Sequence, residues 1–341
     1  MLKTEHVEWI DVCKGIGILT VVVGHAWTAP HTYIFWFHIP LFFFISGYLY
    51  KPGRPAGSLL RKKAYHLLLP YLSFLLLITV LGYAKDVALW LHQGGDPPFS
   101  DWIRALGYKL WGGRYVGAFW FVTCLFFTQQ VYNVLHRWTM RKAYLLHGLV
   151  LFAYAVAMLE SRYLSAKSFP WSIDIVAMAL PFYHLGHIAS QTKVKMVLVT
   201  VFSAIIVAGA VVVDRENLLN LEFDMYLARY GVPLVSVVLA VACIALVCQL
   251  SKAMCSVPFL RPVFSTLGGA SMVIMFLHQF VQTHLDAVPF GKSVPAVIAL
   301  SLLLPLAAYR LFILFPITRK VFLGEASRAG KTPLTASMPA G

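Results

Sequence analysis

IDVCKGIGILTVVVGHAWTA, residues 10–29, is a nearly continuous apolar run interrupted by three ionisable side chains, Asp11, Lys14 and His25. A helix rising 1.5 Å per residue needs about 20 such residues to cross the hydrocarbon of a bilayer. Similar blocks follow at 33–50, 67–84, 116–135, 144–160, 173–190, 196–213, 225–250, 267–285 and 295–316. Most are apolar all the way round, whereas a soluble helix returns polar residues every turn. Spans of a β-barrel would be shorter and would alternate polar with apolar residues. The reading is an all-α polytopic membrane protein with about ten transmembrane helices.

Composition agrees. Hydrophobic residues make up 59% of the 341 and charged residues 12%, about half the charged share of soluble domains. Orientation follows from lysine and arginine. With the N-terminus inside, the cytoplasmic connections hold Lys3, Lys51, Arg54, Arg61, Lys62, Lys63, Arg137, Arg141, Lys142, Lys193, Lys195, Lys252, Arg261, Arg319, Lys320, Arg328 and Lys331. The other side holds Lys85, Arg104, Lys109, Arg114, Arg162, Lys167, Arg215 and Lys292. Short basic loops stay cytoplasmic, so both termini are expected inside. The net charge of +14 is then a topology signal and implies no nucleic acid. None of the five cysteines falls in an outer loop, and no zinc-like spacing appears, so neither a disulfide framework nor a metal is expected. Residues 1–323 read as one membrane-embedded domain and 324–341 as a disordered cytoplasmic tail. The outer loop 85–115 carries Trp90, Trp102 and Trp111, which suit either an interfacial helix or a lid.

In a bilayer the informative residues are those that cost energy, because ionisable groups within spans usually face the protein interior. Asp11 and Lys14 lie three apart and can pair. Lys14 and His25 lie eleven apart, three turns plus roughly 20°, so they share a face about 16 Å apart along the axis. A cation at the inner end can hold an anionic group, and a histidine deeper in can take a proton near neutral pH. The plainer readings are a snorkelling lysine and a hydrogen-bonded core histidine. The second span adds His38, Pro40, Ser46 and Gly47; the proline should kink it, and Ser46-Gly47 would admit a close helix. Trp120, Asp174 at the outer end of the sixth span, and Ser271 with His278 in the ninth are further polar or aromatic candidates.

Together these stretches resemble the acyltransferase-3 family of membrane O-acyltransferases. The resemblance rests on DVCKGIG at 11–17 leading to Gly24-His25, and on FHIPLFFFISGY at 37–48. Trp120-Phe121, Asp174 with Pro181-Phe182-Tyr183 and Gly186, and GASM at 269–272 through His278 extend it. Within the family the chain is most similar to the fucose 4-O-acetylase-like and exopolysaccharide acetyltransferase group. Lys14 and His25 fill the family's basic-residue, ten-residue, histidine pattern, and Lys14 stands where many relatives have arginine, whose planar fork it lacks.

The resemblance implies acetyl-CoA as a donor substrate, with no tightly bound cofactor, and a cell-surface or lipid-linked glycan as acceptor, in the bacterial inner membrane among its lipids. His25 would be the general base or transient acyl carrier, Asp11 would position Lys14, and Arg61, Lys62 and Lys63 would meet the nucleotide phosphates. His38, Ser46, Trp120, Asp174, Ser271 and His278 would orient donor or acceptor. The rival reading is a non-enzymatic transporter or flippase of a glycan lipid, since intramembrane charges suit transporters equally.

Overall fold

A computed structural model describes residues 8–94, 99–164, 169–192, 196–285 and 293–325. Expectations resting on Lys3, Lys167, Lys193, Lys195, Lys292, Arg328 and Lys331, and on the tail beyond Glu325, lie outside the described residues. The chain runs through α1 (Glu8–Ala26), α2 (His31–Phe35), α3 (His38–Tyr48), α4 (Ala56–Lys63), α5 (Leu69–Gln93), α6 (Phe99–Trp111), α7 (Trp120–Trp138) and α8 (Ala143–Tyr163). It continues through α9 (Val176–Gln191), α10 (Met196–Arg215), α11 (Val235–Cys255), α12 (Leu260–Gly269), α13 (Ser271–Leu285), α14 (Val294–Leu314) and α15 (Pro316–Leu323). A π-helical turn, Ala64–Leu68, joins α4 to α5. Among the described residues β structure is limited to one isolated antiparallel bridge, Asp224 to Arg229.

The architecture is all-α and polytopic. Among the described residues, seven helical stretches are long and apolar enough to cross a membrane, or eight if α12 and α13, bent by 77°, count as one broken span. Two of the ten expected spans are shorter helices. The block 33–50 divides into α2 and an 11-residue α3, and 173–190 yields the 16-residue α9. Pro40 does not kink its span. It sits in the first turn of α3, where a missing N–H breaks no intrahelical bond.

The block 225–250 is helical only from Val235. Residues 216–234 fold back as a loop that buries Leu221, Phe223, Met225 and Tyr230, which explains why its start reads as membrane-apolar. In the 85–115 loop, α6 is the helix that the tryptophans suggest.

One end of the bundle is basic. Trp9 in the first turn of α1 meets Tyr48 of α3 edge-on at 5.3 Å and lies under the Lys252 ammonium of α11, while Arg261 pairs with Glu8. α1 packs on α3, α11, α12, α13 and α14, whereas α10 leaves Val197, Leu198, Val201, Phe202 and Ile205 exposed, as a helix facing lipid must.

Two helix crossings come to backbone contact, each through a pair of glycines. Gly15 of α1 lies against the Phe264 carbonyl of α12, and Gly268 of α12 against the Asp11 carbonyl of α1. Gly47 of α3 meets the Tyr183 carbonyl of α9, and Gly186 of α9 meets the Phe44 carbonyl of α3. The expected close approach at Ser46-Gly47 is therefore present, and a β-carbon at any of the four would force the helices apart. Gly186→Ala is expected to lower the midpoint of thermal unfolding in detergent, by about 1–3 kcal/mol of overpacking. Gly148→Ala on α8, where a β-carbon meets open space, is expected to be neutral or to stabilise by up to about 1 kcal/mol.

Candidate active site

α1 carries His25 into its last turn, at the end of the bundle opposite the basic one. There the imidazole is exposed to a cavity of about 260 Å³ walled by Phe35, His38, Trp120, Phe121, Met275 and Gln279, with Asp224, Met225 and Tyr226 closing it from the 216–234 loop. A second cavity, of about 370 Å³, reaches His25 from the other flank past Gln279, Gln282 and Thr283. Phe35 ends α2 and His38 opens α3, so the break between these short helices brings both rings to the cavity.

Two further histidines surround His25, and the backbone fixes their protonation. His38, on the first turn of α3 and 3% exposed, has Nδ1 2.9 Å from the Ile34 carbonyl oxygen. His278 of α13, fully buried, has Nδ1 2.9 Å from the carbonyl oxygens of Ile274 and Met275. Carbonyls only accept, so Nδ1 carries the hydrogen in both rings and Nε2 keeps a lone pair. The His278 Nε2 is buried with no partner within the protein, and its ring centre lies 5.3 Å from that of His25. Phe35 packs edge-on to His25 at 5.9 Å and tilted against His38 at 4.5 Å. Gln279 is held by the Ala118 N–H, which donates to its Oε1 at 2.8 Å. Burial raises the Asp224 carboxyl above its ordinary value, opposed by the N–H groups of Leu227 and Tyr226.

The sequence candidates divide. His25, His38, Trp120 and His278 come together at this cavity. Lys14 and Asp11 pair at 3.0 Å, as their spacing predicts, but line neither the His25 cavity nor the cationic one described next. Asp174 precedes α9 and Ser271 opens α13 after the 77° bend; neither lines the His25 cavity. Ser46 accepts a hydrogen bond from Gln129 at 2.7 Å and lines a different cavity at the basic end, about 300 Å³, shared with Tyr50, Lys51, Arg54, Lys62 and Lys63.

Arg61 is exposed and absent from that wall. It lies about 200° round α4 from the buried Leu59, whereas Lys62 and Lys63 fall at i+3 and i+4 from it and share its face. Lys51 and Arg54 take its place. Ser46 sits about 12 Å along α3 from His38, so one short helix carries walls of both cavities.

Residues not expected from the sequence include Phe35, Gln279 and the Asp224–Tyr226 segment, and a histidine–tyrosine chain at the basic half. Tyr132 Oη lies 2.8 Å from Nδ1 of both His184 and His187. His184 Nε2 continues to His147 at 2.8 Å, and His187 Nε2 meets the Gln191 amide nitrogen at 2.7 Å. The His184/His187 spacing on α9 was a legible signal, since i and i+3 share a face. Among the described residues, no group of three or more His, Cys, Asp or Glu side chains is arranged to hold a metal ion.

Comparison with known proteins bears on the chemistry. A family model described as an acyltransferase domain matches residues 7–318. Nodulation protein NolL of Sinorhizobium fredii (strain NBRC 101917 / NGR234) is 29% identical over 206 residues, 53% of this chain and 48% of that protein. NolL of Mesorhizobium japonicum (strain LMG 29417 / CECT 9101 / MAFF 303099) is 30% identical over 146 residues, 37% of this chain and 35% of that protein. The chain thus spans about half or less of the length of these relatives. No solved structure matches. The match over almost all of the bundle, joined to the long apolar helices, means that the chain belongs to the acyltransferase domain family and is a multi-pass membrane member of it.

Proposed function

We propose that the protein transfers an acetyl group from acetyl-CoA, bound at the basic end, to a hydroxyl of a cell-surface or lipid-linked glycan presented at the His25 end. The observation that carries this reading is the cluster of three histidines, His25 open to the cavity with His38 and His278 fixed as lone-pair donors beside it. The distribution of lysine and arginine supports a cytoplasmic basic end, and hence a bacterial inner-membrane location with the acceptor outside.

In the proposed reaction His25 removes the proton of the acceptor hydroxyl as its oxygen attacks the thioester carbonyl carbon. The C–S bond then breaks, the ester forms, and the proton passes from the imidazolium to the leaving sulfur to give free CoA. His278, its ring centre 5.3 Å from that of His25, offers its bare Nε2 to the His25 ring once that ring is protonated, and so stabilises it during the step. Trp120 and Phe121 exclude water from the cavity wall, and Gln279 is a polar contact for the donor or the sugar. The cationic cavity of Lys51, Arg54, Lys62 and Lys63 suits the phosphates of the donor, with the pantetheine arm running along α3 toward His38. Lys14 then acts at one remove, its ion pair with Asp11 fixing the start of α1. Membership of an acyltransferase family favours this over transport.

Acetyl transfer scored on the glycan at matched membrane protein level is expected to fall about 10²–10⁴-fold in His25→Ala, the range for loss of a general base. A smaller loss of about tenfold is expected in His278→Phe. Glycan export is expected to be unchanged in both; an export defect with normal acetylation would overturn the enzymatic reading in favour of transport. With purified protein, Lys62→Glu combined with Lys63→Glu is expected to raise KM for acetyl-CoA at least tenfold with kcat kept. Arg61→Ala, on the opposite face of α4, is expected to leave it within twofold.

A further inference from the structure

Beyond the His25 cavity lies a larger one, about 460 Å³, that shares Phe35 and Asp224 with it. Its other walls are His31, Thr32, Asp214, Asn217, Asn220 and Glu222, with Leu219, Leu221 and Phe223 between them. A cavity of this volume is in the usual range for a small-molecule site, but its lining is unusual for a membrane protein's interior. It offers amide, hydroxyl and carboxylate groups at several points, no lysine or arginine, and the rings of His31, Phe35 and Phe223. Phe35 carries His31 stacked on it at 3.7 Å and stands between this cavity and the imidazoles of His25 and His38.

The walls come from a built segment. Residues 216–234 are anchored by buried Leu221, Phe223 and Tyr230 and by the two backbone hydrogen bonds between Asp224 and Arg229, 2.7 and 2.9 Å. The Asn220 side chain accepts from the Glu222 N–H at 3.0 Å, and Asp224 accepts from the Leu227 N–H at 3.1 Å. Glu222 also pairs with Arg229 at 3.1 Å on the exposed side of the loop, so its charge is partly answered. Asp214, at the end of α10, and Asp224 carry the remaining carboxylates of the wall.

We infer that this cavity is the acceptor subsite, and that it takes a saccharide that is uncharged or bears an amino group, and rejects uronates and phosphate-bearing sugars. This deepens the proposed acyl transfer and rests on it. Hydroxyl-rich sugar rings need many hydrogen-bond partners of both kinds, which the asparagines, Thr32 and the carboxylates supply. The apolar C–H face of a pyranose has the exposed Leu219 and the His31–Phe35 stack to lie against. A carboxylate or phosphate on the ligand meets two or three like charges with no cation in the wall, costing roughly fivefold in affinity for each close pair even when solvated. An amine gains by the same amount. From this cavity a sugar hydroxyl reaches His25 past Phe35 and Asp224, the two residues that both cavities share.

The test uses the full chain in lipid nanodiscs and reads binding apart from turnover. Three probes of equal length are titrated calorimetrically into the His25→Ala protein: a neutral glucan oligosaccharide, a chitosan oligosaccharide and an oligogalacturonate. The expected order is chitosan oligosaccharide or glucan well above galacturonate, by about fivefold or more. Asp214→Lys is expected to invert the order of chitosan and galacturonate, and Asn217→Ala to weaken all three. In the otherwise wild-type background, Asp214→Lys is expected to raise KM for an amino-sugar acceptor. Equal binding of the three probes, or binding indifferent to Asp214→Lys, overturns the subsite. Charge-selective binding that Asp214→Lys inverts, in a protein that never turns over acetyl-CoA, upholds the subsite and overturns the acyl-transfer reading instead.

Discussion

The whole arrangement depends on two places where helices touch backbone to backbone. At α1/α12 and α3/α9 each helix lends a glycine to the other's carbonyl, so the contact is reciprocal and cannot be relaxed from one side. In a bilayer there is no hydrophobic force to draw helices together, and close van der Waals contact does that work. These crossings hold α1, which carries His25, against the segment that leads into α13 and His278. They also hold α3, with His38 at one end and Ser46 at the other, against α9. The site is therefore positioned by residues that have no side chain of their own.

Close packing also explains how polar groups survive in the interior. Each buried imidazole near His25 is tied to a carbonyl of its own or the preceding helical turn, so the backbone supplies the partner without a second polar side chain. That economy leaves one nitrogen of each ring uncommitted. A buried group with a vacant lone pair is costly, and here the cost falls where proton movement is proposed.

Much of this was legible in the sequence. The pairing of Asp11 with Lys14 and the placing of His25 three turns further on follow from helical geometry alone. The significance of His38, Trp120 and His278 came from the family resemblance, and the fold unites them. What the sequence hid has physical causes. Met225 belongs to a loop whose apolar residues are buried against protein, and hydropathy cannot distinguish that from burial in lipid. Lys51 and Arg54 read as topology signals, and nothing in the sequence tells a basic residue of a loop from one that lines a cavity. Arg61, Lys62 and Lys63 are equivalent as a run of cations in the sequence, although the helix turns Arg61 away from the cavity. Gln279 and Phe35 gave no signal, since a single amide within a span and an aromatic before a break are common in any membrane protein.

The chain from His147 to Gln191 has a directional character of its own. A phenol has one hydrogen, so Tyr132 donates to one of its two imidazoles and accepts from the other. With the Gln191 amide nitrogen donating to His187, His187 must donate to Tyr132, Tyr132 to His184, and His184 to His147. No link can reverse alone. The five side chains therefore share a single polarity, and a glutamine at the rim of the bundle sets which nitrogen carries the hydrogen on the His147 ring of the neighbouring α8.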